Sequence, residues 1–274
     1  MNYSAILISV AVVAAVGLFI GIFLGVASIA FRVKVDEREE KVLAALPGNN
    51  CGGCGYPGCS GLASAIIKGE APVNACPVGG EAVAKDVAVI MGVEAESTKR
   101  MVAFVKCQGD CEHTHLDYNY TGLEDCRMMA FVPNQGPKSC NFGCQGYGSC
   151  EKVCEFDAIH VINGVAVVDK EKCRACKKCL SVCPRKLIEM VPYDAKYLVA
   201  CSSKEKGPAT TKSCTIGCIG CGLCKKNCEA GAVTVEDFLA KIDYDKCVGC
   251  GACAEKCPKK SIVSKLKEEV VSQE

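Results

Sequence analysis

The chain has no tryptophan, only 6% aromatic residues, and a formal net charge of +1 over 274 residues. With so few large aromatics an ordinary hydrophobic core is hard to build, so metal coordination is expected to replace part of it. Without a basic excess, nothing supports binding to nucleic acid. Charge is missing altogether from residues 1–31. A credible nucleotide-binding fingerprint is missing too. Gly53-Cys-Gly55-x-x-Gly58 has the glycine spacing, but no strand precedes it and its variable positions include cysteine and proline.

What the chain has in excess is cysteine, with 25 residues. That abundance fits either a disulfide scaffold or a metal carrier. The odd count, the length and the C-x2-C-x2-C runs oppose a secreted disulfide framework. Iron–sulfur ligation needs free thiolates, so the cysteine-bearing part is expected to face a reducing compartment.

The cysteines are written twice. Cys140, Cys144, Cys150, Cys154, Cys173, Cys176, Cys179 and Cys183 recur 74 residues later as Cys214, Cys218, Cys224, Cys228, Cys247, Cys250, Cys253 and Cys257. The text between them repeats as well, KSCNFGCQGYGSC against KSCTIGCIGCGLC, which marks a duplicated module. Each copy ends in a C-x2-C-x2-C-x3-C-P run, CRACKKCLSVCP or CVGCGACAEKCP. In bacterial ferredoxins three thiolates of such a run hold one [4Fe–4S] cube and the fourth ligates the neighbouring cube. Structural zinc sites use two separated pairs instead, which makes zinc the weaker reading.

One departure matters. The second copy has a full run, Cys218, Cys221, Cys224 and Cys228, whereas the first has Tyr147 in place of Cys221. Cys140 is the expected substitute. One cube of the first module is then held by Cys140, Cys144, Cys150 and Cys183, and its neighbour by Cys154, Cys173, Cys176 and Cys179. In the second module the standard spacing favours Cys221 and the repeat favours Cys214; Cys221 is adopted, with Cys218, Cys224 and Cys257, beside a cube on Cys228, Cys247, Cys250 and Cys253.

Ahead of the modules, Ala5–Phe31 is apolar enough to span a bilayer as one helix. MNYS lacks the basic start of a signal peptide. Gly17, Gly21 and Gly25 form a small-residue face suited to packing against another membrane helix. Arg32, Lys34, Arg38 and Lys41 follow, which predicts a single-pass protein of the cytoplasmic membrane with its bulk in the cytoplasm. Asp36–Leu46 reads as a short charged helix ended by Pro47-Gly48. Cys51, Cys54, Cys59 and Cys76 have a different spacing but suffice for one more cube, with helices expected over Gly61–Lys68 and Glu81–Met91. Val105 to Asn134 holds Cys107, Cys111 and Cys126, with His113 and His115. VKC at Cys107 resembles VAC at Cys201, so the duplication is open to starting here, with about twenty extra residues in the first copy. Cys107, Cys111, Cys126, Cys201 and Cys214 stay open as additional or substitute ligands, and a mixed Cys/His metal site competes with solvated loop histidines.

The expected fold is α+β: a transmembrane helix (1–31), a charged linker helix (32–48), a four-cysteine domain (49–93), two two-cluster ferredoxin-like modules with βαβ-like halves (105–192 and 199–264) and a charged tail (265–274). At least five [4Fe–4S] clusters are expected, with a sixth left open. No catalytic residue is expected.

A membrane helix, then CGGCGYPGC with Cys76-Pro, then ferredoxin modules: this order resembles the B-subunit family of the Rnf complex over essentially the whole chain. The two-module arrangement looks like the extended form of anaerobic bacteria. The resemblance implies an ion-translocating ferredoxin:NAD+ oxidoreductase in which this chain accepts electrons from soluble ferredoxin. It also implies other membrane and peripheral subunits as partners, Na+ or H+ as the coupling ion, and NAD and flavins bound elsewhere. The alternative is a cluster-bearing subunit of another anaerobic membrane oxidoreductase. Arg174, Lys177, Lys178, Lys225, Lys226, Lys256, Lys259 and Lys260 border the cysteine runs, and they serve either to offset cluster charge or to steer an acidic ferredoxin.

Overall fold

The computed structural model describes residues 3–31, 36–95 and 99–264. Arg32 and Lys34 of the basic flank, and the tail 265–274, lie outside the described residues. Helix α1 (Tyr3–Ala30) contains a 21-residue stretch, Val10–Ala30, long and apolar enough to cross a membrane, and none of it is buried against the rest of the chain. With no internal surface to cover those side chains, a bilayer is the solvent that suits them.

Helix α2 (Glu37–Ala45) starts where Asp36 caps it, the carboxylate accepting from the Arg38 amide at 2.9 Å. It is more than a linker. Val42 is fully buried and packs with Leu46 against Leu62 and Ile66 of α3 (Gly58–Ile67) and Val87 of α4 (Gly80–Met91). Cys54, Cys59 and Cys76 sit at the margin of this small core.

The remainder is built from strand pairs that are all antiparallel among the described residues. In the first module, β1 (Met101–Val105) pairs with β4 (Ile188–Pro192), and β2 (Ile159–Ile162) forms a hairpin with β3 (Val165–Val168). In the second, β5 (Tyr197–Val199) pairs with β8 (Ile262–Ser264), and β6 (Val233–Glu236) with β7 (Leu239–Ile242). The expected βαβ-like halves are present in chain order, each with a one-turn helix between two strands, but the strands pair antiparallel and not through a parallel crossover. The helices that carry the cysteines, α5 (Ser149–Lys152), α6 (Lys178–Val182), α8 (Leu223–Lys226) and α9 (Ala252–Glu255), are one turn long. A parallel crossover needs about a dozen residues. A further helix, α7 (Gly207–Ser213), precedes Cys214.

The modules share a core. Along β5 successive side chains point to opposite faces. Leu198, fully buried, and Ala200 just beyond the strand belong to the core of the first module, while Val199 and Cys201 belong to that of the second. Val263 of β8 also packs on the first module. One strand thus serves two cores, and the modules cannot part without exposing Leu198.

Candidate iron–sulfur centres

Burial shapes the cysteine chemistry throughout. It pushes the thiols of Cys107, Cys150 and Cys179 up to about 12, and those of Cys201 and Cys224 up to about 11. Without a metal these are neutral thiols; coordination is what makes a thiolate at such a site. No three His, Cys, Asp or Glu side chains among the described residues converge on a point that could hold a single ion. Where cavities open among them, sets of four cysteines line the walls.

In the second module Cys218, Cys221, Cys224 and Cys257 line one cavity of about 20 Å³. This is the arrangement expected from the full run, and Cys214 takes no part in it. In the first module the matching cavity, about 30 Å³, is lined by Cys126, Cys144, Cys150 and Cys183. Cys140, the substitute read from the sequence, is not there. The insertion folds back over α5 and brings Cys126 instead. Ser149 at the start of α5 donates to Asp125 at 3.0 Å and accepts from the Cys126 amide at 2.9 Å. Asp125 is also bound by Arg127 at 2.8 Å, which holds its carboxyl well below the usual range. Tyr147 is half-buried and packs edge-on against Tyr120 of the insertion.

The outer sites follow the runs. The Cys179 thiol is raised by burial and, further, by Cys173, Cys176 and Cys154 beside it. That of Cys253 is raised by burial and by Cys247 and Cys228, and Cys250 is exposed at the edge of this group. In the N-terminal unit burial raises Cys76, which lies beside Cys59 and Cys54, and the Gly79 amide donates to its sulfur at 3.4 Å. Cys51 sits against Cys176: a Cβ on Gly53 would meet the Cys176 carbonyl at 2.9 Å. The N-terminal unit therefore covers the outer site of the first module, and only glycine permits so close an approach.

The remaining candidates divide. Cys107, Cys140, Cys201 and Cys214 line one cavity between the modules. Cys111 is exposed and does not line that cavity, its sulfur lying against Gly164. His113 is engaged by Asp110 at 2.6 Å, and the mixed Cys/His site is not formed among the described residues.

Paired ferredoxin-type sites, one further four-cysteine unit and a membrane-length helix define an iron–sulfur electron-transfer subunit of a membrane complex. Comparison with known proteins agrees. Residues 46–78 match the family described as "Putative Fe-S cluster", 166–189 the 4Fe-4S binding domain and 217–262 the 4Fe-4S dicluster domain. The chain is 47% identical to the B subunit of the Na(+)-translocating ferredoxin:NAD(+) oxidoreductase complex of Acetobacterium woodii, covering 89% of this chain and 73% of that protein. It is 40% identical to the B subunit of the ion-translocating oxidoreductase complex of Methanosarcina acetivorans (94% and 98%). It is 38% identical to the B subunit of the proton-translocating ferredoxin:NAD(+) oxidoreductase complex of Clostridium ljungdahlii (88% and 85%). The chain belongs to the B-subunit family of the Rnf complex and carries multiple [4Fe–4S] clusters.

Proposed function

We propose that this protein receives electrons from reduced soluble ferredoxin and passes them into an ion-translocating ferredoxin:NAD+ oxidoreductase. The exported ion is Na+ or H+, NAD and flavin sit on other subunits, and the bulk of the chain lies on the cytoplasmic side of the membrane. Each [4Fe–4S] cube supplies reversible uptake of one electron. The residues that would hold five of them are Cys51, Cys54, Cys59 and Cys76; Cys126, Cys144, Cys150 and Cys183; Cys154, Cys173, Cys176 and Cys179; Cys218, Cys221, Cys224 and Cys257; and Cys228, Cys247, Cys250 and Cys253.

The observation that carries the ferredoxin reading is the free edge of the second module. Cys221 and Cys250 are exposed there. Lys225, Lys226, Lys256 and Lys260 around them are exposed and have no carboxylate partner among the described residues. Lys178 in the first module, by contrast, is paired with Glu155. A basic rim around a cluster edge favours encounter with an acidic carrier. Stopped-flow mixing of the oxygen-free full chain with reduced ferredoxin should bleach the cluster absorbance rapidly, and mixing with NADH alone should not. Fast reduction by NADH would overturn this role.

A further inference from the structure

Five cubes use twenty cysteines and leave five, of which four meet in one place. Cys107 and Cys201 are equivalents in the two modules, each ending the segment that follows its outer strand. Their sulfurs accept matching hydrogen bonds, from the Cys144 amide and from the Cys218 amide, both at 3.3 Å. Cys140 and Cys214 are the other equivalent pair. All four line the cavity between the modules, whose volume, about 20 Å³, equals that enclosed by the standard set Cys218, Cys221, Cys224 and Cys257. The equivalence extends to the walls. Ser139 donates to the Ser213 carbonyl at 3.1 Å, so two counterparts of the duplication meet.

We propose that Cys107, Cys140, Cys201 and Cys214 hold a sixth [4Fe–4S] cluster, shared by the two modules, with two ligands from each. This deepens the electron-transfer reading and rests on it. Two features of the cavity point to an anionic, hydrogen-bond-accepting occupant, and a third to the space kept for it. Thr114 is 4% exposed and lines the cavity, and its hydroxyl has no hydrogen-bond partner among the described residues. An orphaned buried hydroxyl is costly, and a cluster sulfide or thiolate would accept from it. Lys138, 3% exposed, also lines the cavity. Its ammonium donates only to the Gly109 and Gly164 carbonyls, at 3.1 and 2.6 Å, with no carboxylate in reach among the described residues. A buried cation needs a counter-charge, and four thiolates around a cube provide one. Finally, Gly109 and Gly143 press on the sulfurs. A Cβ at Gly109 would lie 2.6 Å from the Thr114 hydroxyl and 3.4 Å from Cys214, and one at Gly143 3.4 Å from Cys140. Side chains there would fill the space that the cluster needs.

Loading the site forms four Fe–S bonds and releases the four thiol protons, with no change of oxidation state in the protein. The test is an iron, sulfide and zinc count on the full chain, purified and reconstituted without oxygen. Wild type should hold ~24 irons, since each of six cubes takes four. Cys107→Ser and Cys201→Ser should each lose about four irons and about four sulfides, and one [4Fe–4S] signal in the Mössbauer or reduced EPR spectrum. Cys111→Ser should lose none. A wild-type count of ~20 that both variants leave unchanged overturns the proposal, as does one zinc per chain that disappears in Cys107→Ser. The wild-type count needs no variant to fold. Loss of four irons in Cys107→Ser supports the shared site whatever the total, so a low total by itself counts against the five-cube assignment and not against this one.

Discussion

In the second module Cys218, Cys221 and Cys224 follow one another on a loop and the one-turn helix after it, and Cys257 closes the cavity. In the first module Tyr147 stands where Cys221 would be, and Cys126 of the insertion lines the cavity beside Cys144, Cys150 and Cys183. The cavity is kept although its ligand order is not. A cube requires four thiolates at its corners and is indifferent to which segment supplies them, so a lost ligand in a run is replaceable wherever the chain can be anchored nearby. Here the anchor is the Asp125–Ser149 hydrogen bond and the Ser149–Cys126 bond beside it.

The sharpest way to break this comparison is to remove the replacement. Cys126→Ser should cost the first module one cube, about four irons per chain, whereas Cys140→Ser should leave that cube's signal in place. An unchanged count in Cys126→Ser would return Cys140 to the role read from the spacing. The reverse experiment restores the standard run: Tyr147→Cys in the Cys126→Ser background should recover about four irons. No recovery would show that the first module's loop has diverged beyond reuse of that position.

How much of this was legible in the sequence follows from the same contrast. The duplication, the runs and the N-terminal cysteines could be read because each is a local spacing with a fixed meaning. Helices α3 and α4 fell close to where their apolar patterns put them. Cys126 could not be read from spacing, because its partners are set by a loop that returns over α5. A signal was nevertheless present: the copy that lost Cys221's counterpart is also the copy with an insertion, and that insertion carries cysteine. The packing of α2 was hidden for another reason. Its sequence, EREEKVLAA, looks solvated, and a single fully buried Val42 ties it to the core. Which outer strands pair with one another was not read, because ferredoxin-like runs say nothing about which strands return side by side.

A smaller effect is expected at the joint between the modules. Leu198 lies on the strand of one module and in the core of the other. Leu198→Ala removes buried methyl groups from a site with no exposure and should cost about 2–5 kcal/mol. Thermal unfolding of the cluster-loaded chain should show a lowered midpoint. A change confined to the second module's signals would mean that the two cores are less joined than the packing indicates.

The subtlest difference between the modules concerns their surfaces. Cys176 and Cys250 are equivalents, yet the N-terminal unit packs on Cys176 through Gly53 while Cys250 is exposed. Arg174 and Lys177 border the covered site, and Lys225, Lys226, Lys256 and Lys260 the open one. If charge only offset the clusters, reversing either group would have the same small consequence for reduction by ferredoxin. If the second module is the docking edge, Lys225→Glu with Lys226→Glu should slow that reduction ~10-fold at low ionic strength, because steering acts on the encounter rate. The same pair of changes at Arg174 and Lys177 should do much less. The gap should narrow as salt rises, since exposed charges separated by more than ~10 Å are largely screened at about 0.1 M. Stopped-flow rates for both double variants across a salt series decide between the two accounts. Equal slowing from either module would leave the lysines as counter-charge alone, and a larger effect at Arg174 and Lys177 would move the docking edge to the first module.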